Sequence, residues 1–295
     1  MRIVMRRGLS IRLRGEPDQQ IDNDVTVERA GLLGHDLDRI RAEILVEAGA
    51  SVSVGTPLLR DRKRPELVFV SPLSGTVERT EIGARRRLSD ITIAADGTMD
   101  KEKFDISGAG TRDGLRALLL AAGQWPAIRS RPFERIADPG ATPIAIFVTA
   151  IDTAPHAPDP VPIIEARHDD FTRGLDAVAL LADCPVYLCQ PDVAPFAEGS
   201  GRRKTVRFAG AHPAGLVGTH IARLCVPGDG EAVWHIGTAH GLQARHGRSQ
   251  NLATAERRKS VANGRRRHQI RRRRCRNDNA RSTRRLIGPV TQFRP

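Results

Sequence analysis

Apolar periodicity stops at Gly237. Before it, runs such as Ile144–Val148 and the spacing of Leu115, Leu118 and Leu119 carry the patterns by which a chain buries both faces of a strand or one face of a helix. From Thr238 to Pro295 no such pattern recurs, and arginine clusters at Arg265–Arg267, Arg271–Arg274 and Arg284–Arg285 take its place. A segment with so few buriable side chains cannot offset its ordering entropy, so a disordered basic tail is expected over residues 238–295. Charge divides at the same point. Of 47 lysines and arginines, 17 follow Gly237, against 2 of the 34 acidic residues, which leaves 30 basic and 32 acidic side chains before it. The formal net charge of +13 therefore belongs to the tail, and the body is near neutral. Sixteen arginines to one lysine is the skew that GC-rich codons give when read out of phase, so a shift of reading frame past Gly237 is the expected origin of the tail.

The body excludes several classes of protein. No run approaches the roughly 20 apolar residues of a membrane helix. The amino terminus lacks the apolar core of a secretion signal, so a cytoplasmic product is expected. Cys184, Cys189, Cys225 and Cys275 form no C-x-x-C pair and match no histidine spacing, so neither zinc nor an iron–sulfur centre is expected. The tail could attract nucleic acid or anionic lipid electrostatically. It has no interleaved aromatic residues for base stacking, and no specific nucleic acid is expected.

Two folded parts are expected. Over residues 1–105, short β-branched segments between Ile44 and Ile93 alternate with Glu47–Gly49, Gly55–Pro57, the polar tip Arg60–Arg64 and Ser71–Gly75, the signature of a β domain built from hairpins. Over residues 106–237 the period changes. Thr111 can cap a helix that Gly123 ends, Trp125–Pro139 reads as loop, and Ile144–Val148 as a buried parallel strand. Asp152–Pro162 reads as a surface loop, Asp169–Ala182 as a helix with Phe171, Leu175, Val178 and Leu181 on one face, and Pro185–Leu188, Val206–Phe208 and Val233–Ile236 as further strands. Strand, helix, strand implies a βαβ unit, and the whole an α+β or α/β chain.

Three motifs could carry chemistry. Lys63 stands near a hairpin tip, where swinging-arm domains carry a cofactor, but no Asp-Lys-Ala or Met-Lys-Met surrounds it, and a structural barrel is expected. The segment Gly210–Ile221 follows a strand and matches neither G-x-G-x-x-G nor a Walker loop. It either offers backbone N–H groups to an anion, less the donor that Pro213 lacks, or packs a helix closely at Gly215 and Gly218. Its His212 and His220, eight apart, are candidates for one helical face. Arg129 and Arg131, with Asp152 downstream, either bind an anionic or quinone headgroup or lock two loops by ion pairs.

Several stretches together resemble one family. These are Arg6-Arg7-Gly8-Leu9 with Gly15-x-Pro17, Leu32-Leu33-Gly34, Ser71–Val77, Gly83–Arg86, Gly123–Phe133, Ile146–Thr153, Pro185–Cys189, Gly210–Ile221 and Val233–Ile236. They are similar to the NqrA family, the soluble members of Na+-translocating NADH:quinone oxidoreductases. The resemblance implies an N-terminal barrel-sandwich hybrid domain of biotinyl/lipoyl type, then an α/β domain resembling the flavin-binding component of respiratory complex I. Trp125–Phe133 stands where that component has its flavin loop. The resemblance further implies no tightly bound cofactor here, with NAD, flavins and iron–sulfur in partner subunits and ubiquinone as substrate of the complex. It places the chain as a peripheral subunit on the cytoplasmic face of the bacterial inner membrane, with Arg129, Arg131, Asp152, His212 and His220 as quinone-proximal or partner-contact candidates. A scaffold with a basic tail is the alternative. The counterpart in the related Rnf complex would need cysteine clusters that are absent.

Overall fold

The computed structural model describes residues 1–11, 13–15, 26–34, 37, 40–83, 88–98, 100–192 and 196–237. The tail expected over residues 238–295, Pro17 and the Ala84–Arg86 stretch lie outside the described residues. The described residues divide into two compact units, one centred on residues 26–105 and one holding residues 1–15, 106–119 and 124–237.

The first unit is the expected all-β part. One sheet has the order β2 (Arg29–Leu33), β8 (Leu88–Ala95), β7 (Gly75–Ile82) and β4 (Ser51–Val52), and a second has β3 (Ala42–Ile44), β5 (Pro57–Asp61) and β6 (Arg64–Val70). Alternation along the strands sends Leu58, Leu67, Val77, Ile91 and Ile93 into a fully buried core. Gly55 permits one of the turns, since its backbone adopts φ of 101°, which a side chain would strain. The polar tip narrows to Arg62 and Lys63 between β5 and β6, and Asp61 braces it by accepting from the Lys63 N–H at 3.2 Å and from Arg64 Nε at 3.3 Å.

The second unit is built on a seven-stranded sheet. Its members are β1 (Arg2–Met5), β9 (Arg129–Arg131), β10 (Arg135–Ile136), β11 (Ala145–Thr149), β12 (Val186–Pro191), β13 (Arg203–Gly210) and β14 (Val233–Gly237), in the order β1-β13-β12-β11-β14-β9-β10. The helices are α1 (Arg112–Ala121), α2 (Pro160–Glu165), α3 (His168–Leu180) and α4 (Val217–Leu224). The five strands β1, β13, β12, β11 and β14 run parallel, and β9 and β10 add an antiparallel hairpin. Thr111 caps α1 as expected, its hydroxyl accepting from Gly114 N–H at 3.1 Å. Along β11, Ala145–Val148 are buried without exception, as a parallel strand covered on both faces requires.

The first strand does not pair within the β sheets of the first unit: β1 pairs with β13, Ile3 opposite Phe208, because a parallel edge has an open row of backbone groups to satisfy. Two expectations are corrected. The stretch Trp125–Pro139 is not a plain loop: Trp125–Ala127 makes a 3-10 turn and β9 and β10 a hairpin. The loop Asp152–Pro162 ends early, because Asp159 accepts from Val161 N–H at 3.0 Å and caps α2, where Pro160 needs no donor of its own.

Candidate functional site

The strand order contains a reversal. From β11 the chain moves outward to β12 and then β13, and after α4 it returns to β14 on the other side of β11. Ligands in open α/β sheets bind outside the carboxyl ends of strands at such a switch. The residues leaving β11 there are Ala150, Ile151, Asp152 and Thr153.

Thr153 organises this end. Its Oγ1 lies 3.1 Å from His212 Nδ1 and accepts from Gly215 N–H at 2.9 Å. Asp152 turns back on its own loop, its Oδ1 accepting from Ala154 N–H at 2.8 Å. The segment after β13 can come this close because Gly215 has no side chain: a Cβ there would stand 2.5 Å from Thr153 N. Of the two glycines expected to pack, Gly215 does so and Gly218 faces open space. On the other side Leu9 N–H donates to His212 O at 2.8 Å, and a Cβ on Gly8 would meet that oxygen at 2.3 Å.

The two histidines do not share a helical face. His212 precedes α4 in a turn, whereas His220 lies within α4 and is fully buried. His220 belongs to no surface, because the Phe208 ring packs against it, tilted by 40° at 4.2 Å between centroids, and its Nε2 lies 2.8 Å from Ala214 O. Burial, set against the weaker opposing bond to Ala214, pulls its pKa down to about 4, so the ring is neutral near pH 7.

Arg129 and Arg131 form a separate group. Both pair with Glu134 at the turn of their own hairpin, Arg131 Nε at 2.7 Å and Arg129 Nε at 3.8 Å, and His235 Nε2 lies 3.0 Å from the same carboxylate. The cross-strand partners are Arg131 with Val233 and Arg129 with His235. Alternation along β14 puts these four on one sheet face, the face on which Val233 joins the core of Phe147, Phe208 and Ile221. Burial lifts Glu134, but the hydrogen bond from His235 and the charges of Arg131 and Arg129 more than reverse it, leaving the carboxyl below its ordinary value.

The five candidates thus fall into two places: Asp152 and His212 at the carboxyl ends with His220 packed beneath, and Arg129 and Arg131 along the hairpin. Thr153, Glu134 and His235 were not anticipated. Only Thr153 had a legible signal, a hydroxyl directly after an apolar strand and an aspartate. Among the described residues no three histidine, cysteine or acidic side chains gather as a metal would require, and no helix is long and apolar enough to cross a membrane.

Comparison with known proteins places both units. Residues 3–96 match the NqrA N-terminal barrel-sandwich hybrid domain, and residues 110–243 match the NqrA second alpha/beta domain. The chain is 38% identical over 242 residues to the NqrA protein of the Na(+)-translocating NADH-quinone reductase of Serratia proteamaculans, covering 80% of this chain and 54% of that protein. It is 36% identical over 241 residues to the corresponding protein of Shewanella amazonensis, covering 80% and 53%. With that of Klebsiella pneumoniae it is 38% identical over 239 residues, covering 79% and 54%. The chain spans about half the length of the curated relatives it matches.

Proposed function

The chain belongs to the NqrA family, and on that premise we propose that it acts as the NqrA portion of a sodium-translocating NADH:ubiquinone oxidoreductase, the complex that couples electron flow from NADH to ubiquinone with Na+ export. The observation carrying this reading is that two NqrA domains follow one another in family order along the chain, residues 3–96 and then 110–243. In this role the chain is a peripheral subunit on the cytoplasmic face of the bacterial inner membrane. Its partners are the other subunits of the pump, which hold the NAD site, flavins and iron–sulfur centre, and it holds no tight cofactor itself.

Reduction of a quinone to a quinol takes two electrons and two protons, and its headgroup oxygens accept hydrogen bonds throughout. Thr153 engages Nδ1 of His212. Nε2 is then the ring nitrogen that would meet a headgroup oxygen at the carboxyl end of β11, and Asp152 shapes the same loop. Arg129 and Arg131, paired with Glu134 on the separate hairpin, are assigned to partner contact rather than to the headgroup.

The test is assembly and turnover. The chain, joined to the carboxy-terminal half of the Serratia relative, is expressed with the remaining pump subunits in cells lacking their own NqrA. Co-purification and NADH-driven quinone reduction are expected, with His212→Ala raising the quinone KM. A complex that forms without the chain, or turns over equally well without it, overturns the reading.

A further inference from the structure

The first thirteen residues concentrate exposed apolar surface. Among the described residues, eleven large hydrophobic side chains are exposed, and five of them are Met1, Val4, Leu9, Ile11 and Leu13. Leu9, Ile11 and Leu13 fall at alternate positions and are 73%, 59% and 50% exposed, where a packed strand would hide one face. Cations flank them. Arg6, Arg7 and Arg14 are exposed, and Met1–Gly15 contains no acidic residue.

We propose that the Leu9–Leu13 strip, with Arg6, Arg7 and Arg14, seats this unit on an anionic lipid surface, the apolar side chains entering the headgroup boundary and the guanidiniums pairing with lipid phosphates. Charge complementarity selects this occupant. Large exposed apolar side chains flanked by arginines, in a stretch without an acidic residue, match a surface that is greasy below and anionic above, and arginine stems lie along apolar surface while their heads stay at the phosphates. The seat adjoins the candidate site, since Leu9 is hydrogen-bonded to His212 O, so a lipid-soluble substrate leaving the bilayer would meet the Thr153–His212 turn first. The inference deepens the peripheral placement proposed above and names its surface.

The test must see the strip and not the basic tail. Ile11→Trp in the full chain is mixed with protein-free vesicles of brominated phosphatidylglycerol, whose acyl bromines quench only tryptophans that reach the boundary. Trp125 and Trp234 are buried and supply a constant background. Quenching of the indole at position 11 by about half is expected, and Val226→Trp, more exposed still but elsewhere in the unit, should stay bright. Replacing Arg6 and Arg7 by Gln should raise the lipid needed, by about fivefold per cation. Leu13→Glu should abolish quenching while tail-driven sedimentation with vesicles persists. No quenching at position 11, or equal quenching at position 226, overturns the proposal and gives the strip a protein occupant or none. Because the vesicles carry no other pump component, this failure leaves the assembly experiment untouched, and failed assembly leaves this one untouched.

Discussion

The Nε2 atom of His220 lies 2.8 Å from the carbonyl oxygen of Ala214, inside the turn that follows β13. A carbonyl only accepts, so Nε2 carries the proton and Nδ1, which has no hydrogen-bond partner among the described residues, does not. The neutral tautomer is thereby fixed, and it links α4 to the loop that Thr153 holds from the other side. The link sets a pH dependence. Burial lowers the folded pKa to about 4 from the ordinary 6.5, so between these values the unfolded chain binds a proton that the folded chain refuses. Stability should be full above the ordinary value and fall as pH drops through it, by about 2 kcal/mol on reaching pH 5. His220→Gln retains an N–H donor without the titration. Urea midpoints across this range should fall for the wild type and flatten for the variant, and parallel slopes would show that His220 does not set them.

Gly215→Ala tests how closely the loop meets β11. The added Cβ would stand 2.5 Å from Thr153 N and 2.9 Å from Asp152 Cα, both backbone atoms that cannot rotate aside. The loop has to move, at a cost of about 1–3 kcal/mol for overpacking. The denaturation midpoint should fall accordingly and the His212 ring resonances shift, whereas Gly218→Ala, which meets nothing within 4 Å and lies in α4, should leave the resonances in place and hold or raise the midpoint.

What the sequence made legible follows from what period and turn chemistry encode. The buried run at Ala145–Val148, the helix face of Phe171, Leu175 and Val178, and the cap at Thr111 each rest on neighbours within a few positions, and the structure has them where local rules put them. The contacts that assemble the site are long-range. Glu134 meets His235 across 101 positions, and Thr153 meets His212 across 59. No local pattern announces either, because one carboxylate in a hairpin reads the same whether or not a distant strand brings it a histidine. Pairing of β1 with β13 was hidden for the same reason: a four-residue strand carries no mark of its partner.

Glu134→Gln removes the charge that Arg129, Arg131 and His235 share. The carboxylate is partly exposed, so solvent screening limits the loss to about 1 kcal/mol or less. Its folded pKa lies below the ordinary 4.5, which means the stabilisation is complete above that value and disappears as pH falls through the lowered one. Thermal melts near neutral pH should separate wild type from variant slightly, and the gap should close in acid. A gap that widens in acid would contradict the assignment of Glu134 as the shared anion.

Trp125 gives the sharpest stability test. Its indole N–H donates to Ala137 O at 2.8 Å, both residues are fully buried, and its ring meets Trp234 edge-on at 5.6 Å between centroids. Trp125→Phe keeps an aromatic ring at the contact but leaves the Ala137 carbonyl without its donor in a site that water does not reach. An orphaned buried acceptor costs about 1–3 kcal/mol, and the smaller ring adds a cavity term on top. Trp125→Leu should cost more, since it loses the edge-on contact as well, worth about 0.5–1.5 kcal/mol. Chemical denaturation of the two variants gives the order directly. If Trp125→Phe proves as stable as wild type, the hydrogen bond contributes nothing and the hairpin β9–β10 is held by its pairing with β14 and by Glu134 with its cations.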